Sequence, residues 1–229
     1  MRALLVLIGF LFFSNTLISN PDTLYAYRLS ILKTQVPVKY VNQSKDYINL
    51  WLKDKDKLAH ALSREIYYAP EISKIFKENQ IPQELRSLAL ALSFIQNDYV
   101  SNDGNSGLWN MNFRIASTHD LKINTYVDER RDPYKSTYAL VKYLNELYSI
   151  YEDWYLVLAA YASSPSDVNI AARKNGMSKN YWALQNDLPE NAQSIIPKFI
   201  AATYVMNYYK EHGIKPSSTI ERVTIDSVS

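Results

Sequence analysis

Apolar residues that recur every three or four positions are the feature that most constrains the fold of this chain. Between Asp54 and Asn79 they are Leu58, Leu62, Ile66, Ile72, Ile75 and Phe76, a spacing that places them on one face of an α-helix. The pattern and its flanking residues predict further helices at Lys45–Lys53, from Pro82 to Leu92, and at Leu108–Ser117, Tyr134–Glu152, Trp154–Ser163, Ser166–Asn175 and Glu190–Glu211. Glycine is scarce, with 5 in 229 residues, which disfavours folds that need many tight turns. The sequence therefore predicts an all-α domain.

The two ends of the chain differ from this helical pattern. After a short basic start, residues 3–13 form an apolar run, shorter than the ~20 residues that a membrane-spanning helix needs and typical of a secretory signal peptide. We expect residues 1–19 to be that signal peptide, residues 20–43 an extended arm, residues 44–212 the helical domain and residues 213–229 a polar tail. An uncleaved anchor or a buried helix are the alternatives for the first segment. The expected location is the periplasm or the outer envelope.

Charge and residue types exclude several classes of function. A formal net charge of +2 gives no reason to expect a nucleic acid as partner. The chain has no cysteine, which excludes disulfides and thiolate metal ligands. His60, His119 and His212 are widely separated, without the spacing of a metal site. We expect no metal, no cofactor and no nucleic-acid partner.

Several short segments resemble one family in their order and spacing. They are Ile81–Leu85 (IPQEL) with Leu88–Leu90, Gly107–Trp109 (GLW), Tyr126–Pro133 (YVDERRDP), Asp153–Trp154 with Leu158–Tyr161 (LAAY), Leu188–Pro189, and Pro197–Phe199 (PKF). Together they resemble the lytic transglycosylases with a lysozyme-like (SLT) domain, of the membrane-bound D type, over roughly residues 38–209. The resemblance implies a lysozyme-like helical fold. It also implies an ancestral activity that cuts peptidoglycan between N-acetylmuramic acid and N-acetylglucosamine and leaves a 1,6-anhydro end.

That chemistry depends on one carboxyl group with a raised pKa, which protonates the glycosidic oxygen and later accepts a proton from the sugar. In the family this glutamate directly precedes the serine matching Ser93 and stands 17 residues before the tryptophan matching Trp109, a position that holds Leu92 here. Leucine has no proton to donate, so the resemblance implies that the family's acid is lost. Asp98 and Asp103 are weak candidates to replace it.

Other family cleft positions also differ. Asn110 stands where the family has glutamine, the segment 162–166 replaces its asparagine and glycine-rich turn, and residues 191–195 replace a glutamate–threonine pair and a tyrosine. The remaining candidates for contact with a glycan are Ser93, Trp109, Asn110 and Tyr161. The rings of Trp109 and Tyr161 could stack on sugars or could only pack in the core. The charged run Asp128–Asp132 is expected to pin a loop rather than to catalyse.

These observations predict a catalytically inactive lytic transglycosylase-like protein of the cell envelope. It would bind peptidoglycan strands, or a protein partner, through the remnant cleft. One alternative is an active enzyme that uses a substitute carboxylate. The other is a purely structural subunit whose groove is filled.

Overall fold

The regular structure of the chain is helical. The computed structural model describes residues 20–217. Within them lie ten α-helices: α1 Pro21–Ser30, α2 Asn42–Lys53, α3 Lys55–Glu78, α4 Leu88–Ser93, α5 Phe113–Thr118, α6 Pro133–Tyr151, α7 Trp154–Ala162, α8 Pro165–Lys174, α9 Tyr181–Leu184 and α10 Glu190–Tyr208. Short 3-10 helices cover Gln83–Ser87, Glu129–Arg131 and Gln185–Asp187, and pairing between extended residues in the described part is limited to isolated β-bridges. The all-α prediction is confirmed.

Helix α10 lies at the centre of the domain. Its residues from Ile195 to Val205 are buried except Lys198, as expected of a helix that is apolar on all sides. It packs against α2, α7 and α4. Because α4 and α2 contact the same central helix, the residues at their exposed edges are brought together at one surface of the domain.

A second group of helices closes the core. Helix α6 packs against α3 and α7, and every residue of α7 from Tyr155 to Tyr161 is buried. Asp153 accepts a hydrogen bond from the backbone N–H of Leu156 (3.0 Å), which satisfies a free donor at the start of α7.

The prediction of an extended arm over residues 20–43 is wrong for Pro21–Ser30, which is helical. The start signals are ordinary: Asn20 caps the helix by accepting from the N–H of Asp22 (2.9 Å), and Pro21 occupies the first turn. Because the helix buries only Tyr25 and Leu29, its apolar residues are too few to show a helical period in the sequence. The irregular segment that follows α1 is also held to the core, since the N–H of Val36 donates to Glu84.

Other boundaries differ by a few residues. The helix expected from Leu108 begins at Phe113, because Gly107 and Asn110 both adopt a left-handed backbone and keep residues 107–110 in a turn. The last helix ends at Tyr208 rather than Glu211. The predicted signal peptide and residues 218–229 of the predicted polar tail lie outside the described residues. Across residues 20–217, no helix combines the length and apolarity needed to span a bilayer.

Candidate functional site

A groove runs over the carboxyl end of α4. It consists of two adjoining pockets that share Ala91, Leu92, Tyr99 and Lys198. The first, here called the amide pocket, has a volume of about 160 Å³ and is lined in addition by Ser101, Asp103, Asn105, Asn110, Tyr161, Ala162, Asn191 and Ile195. The second, here called the aromatic pocket, has a volume of about 290 Å³ and is lined in addition by Tyr47, Leu50, Trp51, Lys57, Leu90, Ser93, Phe94 and Gln96. Leu92 therefore lies where the two pockets meet.

The backbone that follows α4 is unusual. Phe94 and Ile95 both have positive φ, at 57° and 59°, which a β-branched residue such as isoleucine adopts rarely. Arg64 from α3 donates to both of their carbonyl oxygens, at 3.0 Å for Phe94 and 2.6 Å for Ile95. This half-buried guanidinium thus satisfies two carbonyls that the end of the helix leaves free, and it fixes the turn that carries Phe94 into the groove.

The amide pocket is lined by side-chain amides from two parts of the chain. Asn105 and Asn110 come from the loop between α4 and α5, and Asn191 comes from the first turn of α10. The side chain of Asn191 donates to the carbonyl oxygen of Ala162. The Oδ1 atom of Asn110 is buried and has no hydrogen-bond partner within the described residues. Because this atom has almost no exposed surface, a ligand in the pocket could reach it only if the side chain moved.

The loop between α4 and α5 is held by the charged run Asp128–Asp132, as predicted. Arg130 pairs with Asp128 (2.7 Å) and donates to the carbonyl oxygens of Gly104 (2.9 Å) and Met111 (3.2 Å). Burial acts to raise the pKa of Asp128, but the hydrogen bonds and charge of Arg130 hold this pKa below its usual value. Asp132 caps α6 through the N–H groups of Tyr134 and Lys135. The run is a structural network.

Two of the four predicted glycan contacts, Ser93 and Trp109, are buried and make their hydrogen bonds within the domain. The hydroxyl of Ser93 is buried and donates to the carbonyl oxygen of Leu108 (2.7 Å). Trp109 is 0% exposed, its indole N–H donates to Thr137 (2.9 Å), and its ring stacks on Phe76. Of the two alternatives for Trp109, packing is therefore what the structure shows, because a ring without exposed surface offers no face to a sugar.

The other two predicted contacts line the amide pocket. Tyr161 is 6% exposed, and its hydroxyl donates to the carbonyl oxygen of Trp109 (2.8 Å). Burial raises the pKa of this hydroxyl. Asn110 lies beside it in the same pocket. Both remain predicted glycan contacts, because each lines the amide pocket.

The aromatic side of the groove was not predicted from the sequence. Tyr47 and Trp51 project from α2 with ring centroids 6.1 Å apart, and Trp51 meets Phe94 edge-on at 6.2 Å. The sequence places both residues on one face of a helix, because they are four positions apart, but it does not show that this face borders a groove; in the structure, Leu50 beside them is 62% exposed. These three rings form an aromatic row along one pocket, and aromatic faces suit the apolar faces of pyranose rings.

The carboxylates near the groove differ in position. Asp103 is exposed on the loop and lines the amide pocket. Asp98 is exposed and lines neither pocket, although its charge acts on Arg64. Burial raises the pKa of Glu65, but Glu65 pairs with Arg86 (2.6 Å) and is absent from the groove lining. Glu84 is tied to the backbone of Val36.

The described residues contain no group of three or more His, Asp or Glu side chains that could hold a metal ion. His119 hydrogen-bonds with the carbonyl oxygen of Ile115 (2.7 Å). His212 bonds with the hydroxyl of Tyr204 (2.8 Å), and His60 is exposed. The three histidines therefore lie in separate environments.

Comparison with known proteins agrees with this geometry. Residues 71–184 match the transglycosylase SLT domain. The chain is 26% identical over 210 residues to membrane-bound lytic murein transglycosylase D of Escherichia coli strain K12, and equally to that of strain O6:H1. The alignment covers 90% of this chain and 46% of each relative, so the chain spans about half their length. The lysozyme-like, all-α fold that the resemblance implied is confirmed, and the chain belongs to the lytic transglycosylase family.

Proposed function

We propose that this protein is a catalytically inactive member of its family that binds peptidoglycan glycan strands in the groove. The observation that carries the proposal is the side chain at the junction of the two pockets, which is Leu92. The resemblance places the family's glutamate at this position. An apolar side chain there leaves a surface that a sugar can contact and removes the proton donor that cleavage requires.

The surrounding carboxylates support the same conclusion. A lone general acid is kept protonated near neutrality by burial. Asp103, the one carboxylate in the described lining of the groove, is exposed on its loop, and the partly buried Glu65 is engaged by Arg86 outside the groove. We infer that neither residue replaces the missing acid.

The shape of the groove favours binding over a filled, purely structural surface. The aromatic pocket alone has about 290 Å³, near the lower end of ligand sites in proteins. Leu92 is half-buried and leaves both pockets open. A glycan ligand and the similarity to a membrane-bound murein enzyme both support a location in the cell envelope.

The test compares binding and cleavage on purified peptidoglycan sacculi. We expect the protein to sediment with sacculi but to release 1,6-anhydro muropeptides at a rate at least ~10²-fold below that of membrane-bound lytic murein transglycosylase D, the cost of losing a general acid. Release by the Leu92→Glu variant alone would show that a glycan lies against position 92. An Asp103→Asn variant is assayed beside it.

Release by the unmodified protein at a rate near that of the relative would overturn the proposal. If Asp103→Asn then abolished this release, the active-enzyme alternative would hold. Failure of the unmodified protein to sediment with sacculi would instead favour the purely structural alternative or a protein partner.

A further inference from the structure

The aromatic pocket is bordered by positive charge. Lys198 lines both pockets, and its Nζ lies 5.5 Å from the ring centroid of Tyr47. Lys57 lies at the opposite end of the aromatic row, with its Nζ 4.9 Å from the ring centroid of Phe94. Cation–π contacts of this kind hold an ammonium group near a ring face without neutralising its charge. The row of rings thus carries a lysine at each end.

Neither lysine is neutralised within the described residues. The ion pairs there involve other cations, and the lining of the aromatic pocket contains no aspartate or glutamate. Burial lowers the pKa of Lys198, against the smaller influence of Glu190. A partly desolvated ammonium without a carboxylate partner is stabilised when an anion binds beside it.

Leu92 completes this arrangement. A carboxyl group at that position would stand between the two pockets and, whenever it was ionised, would repel an anionic ligand at close range. With leucine there, the floor of the aromatic pocket has no negative charge. The replacement that removes the acid therefore also makes the pocket suitable for an anion.

We propose that the aromatic pocket selects carboxylate-bearing saccharides, with pyranose rings against Tyr47, Trp51 and Phe94 and a carboxylate beside Lys57 or Lys198 at either end of the row. Within peptidoglycan this chemistry belongs to strands whose stem peptides have been removed, because each N-acetylmuramic acid then exposes a free lactyl carboxylate. The inference rests on the proposed function and narrows its ligand from glycan strands in general to peptide-free strands. Uronic acid oligosaccharides are the other source of the same chemistry.

The experiment measures binding of four tetrasaccharides by titration calorimetry. They are the alternating N-acetylglucosamine–N-acetylmuramic acid tetramer with free carboxylates, the same tetramer with its carboxylates converted to N-methylamides, the neutral N-acetylglucosamine tetramer, and tetragalacturonate. We expect the free acid to bind about tenfold more tightly than its amide, the scale of one charge-assisted hydrogen bond. This preference should weaken as salt is raised.

Substitutions of the two lysines test whether they cause the preference for the free acid over its amide. The Lys57→Gln, Lys198→Gln double variant should bind the acid and its amide equally. Lys198→Arg, which keeps the charge, should retain the preference even if Lys198→Gln folds poorly. Lys53→Gln, on the same exposed stretch but outside the groove lining, is the matched control and should behave as the unmodified protein.

The outcomes separate this inference from the proposed function. Equal binding of the acid, its amide and the neutral tetramer would overturn the inference and leave glycan binding intact. Loss of all saccharide binding together with loss of binding to sacculi would overturn both. Tight binding of tetragalacturonate without binding of the muramyl acid would overturn the assignment to peptide-free peptidoglycan.

Discussion

At the scale of single residues, Gly107 and Gly104 look alike in the sequence but carry different constraints. Both have positive φ, at 80° and 76°. A Cβ on Gly107 would lie 1.8 Å from the carbonyl oxygen of Arg130, whereas one on Gly104 would have no atom within 4 Å. Only Gly107 is therefore required by a close approach of two backbone segments.

We expect Gly104→Ala to lower the free energy of unfolding by about 1 kcal/mol, the cost of a left-handed alanine. Gly107→Ala should lower it by roughly 2–4 kcal/mol, because the backbone of Arg130 must also move. Urea denaturation of the two variants measures both values. Equal losses would contradict the importance of the close approach.

Single residues also show which features of the site could be predicted from the sequence and which could not. The proposed loss of the acid at Leu92 could be inferred from the sequence, because the inference depends only on register along one helix. The burial of Trp109 and the role of Tyr47 and Trp51 were not, because they depend on how α2 and α4 meet on α10. A helical period identifies which face of α2 is apolar, but it does not show that part of this face borders an open groove.

At the scale of elements, the end of α4 depends on one side chain from α3. Arg64 donates to the carbonyl oxygens of Phe94 and Ile95. The left-handed backbone at these two residues ends the helix, so their carbonyl oxygens have no partner within it. We expect Arg64→Met to lower the free energy of unfolding by about 2–4 kcal/mol, because both carbonyls lose a charged donor. It should also weaken binding to sacculi, since Phe94 forms one end of the aromatic row. Urea denaturation and sedimentation with sacculi check the two effects.

Arg173→Met, on the exposed part of α8, is the matched control and should change stability by no more than about 0.5 kcal/mol. A similar loss in the two variants would contradict the role of Arg64.

Most helices could be predicted from period and caps because these signals are local, as at Asp153 and α7. Helix α1 was missed, because its two buried residues are too few to show a period.

At the scale of the whole molecule, the two ends of the described chain meet at one polar cluster. Arg28 of α1 donates to the hydroxyl of Tyr204 on α10 (2.7 Å), and that hydroxyl bonds with Nε2 of His212 (2.8 Å). Lys55 donates to the carbonyl oxygen of His212 (3.0 Å). The cluster holds α1 against the central helix, so its protonation state affects the stability of the domain.

Burial, and after it the charge of Arg28, lowers the pKa of His212 below its ordinary value of 6.5. Above about pH 6.5 the imidazole is neutral in both the folded and the unfolded protein, and its contribution to stability is complete. As the pH falls below 6.5, the unfolded chain takes up the proton first, so the free energy of unfolding declines until the pH passes the pKa of the folded state. For one proton the slope cannot exceed about 1.4 kcal/mol per pH unit.

We expect urea denaturation between pH 7.5 and 5 to show this decline in the free energy of unfolding. The His212→Gln variant should lose the part of the decline that His212 causes. The control variant His60→Gln, which deletes an exposed imidazole, should retain it. An unchanged slope in His212→Gln would show that the coupling between α1 and α10 does not depend on this proton, and that other titrating groups set the pH dependence.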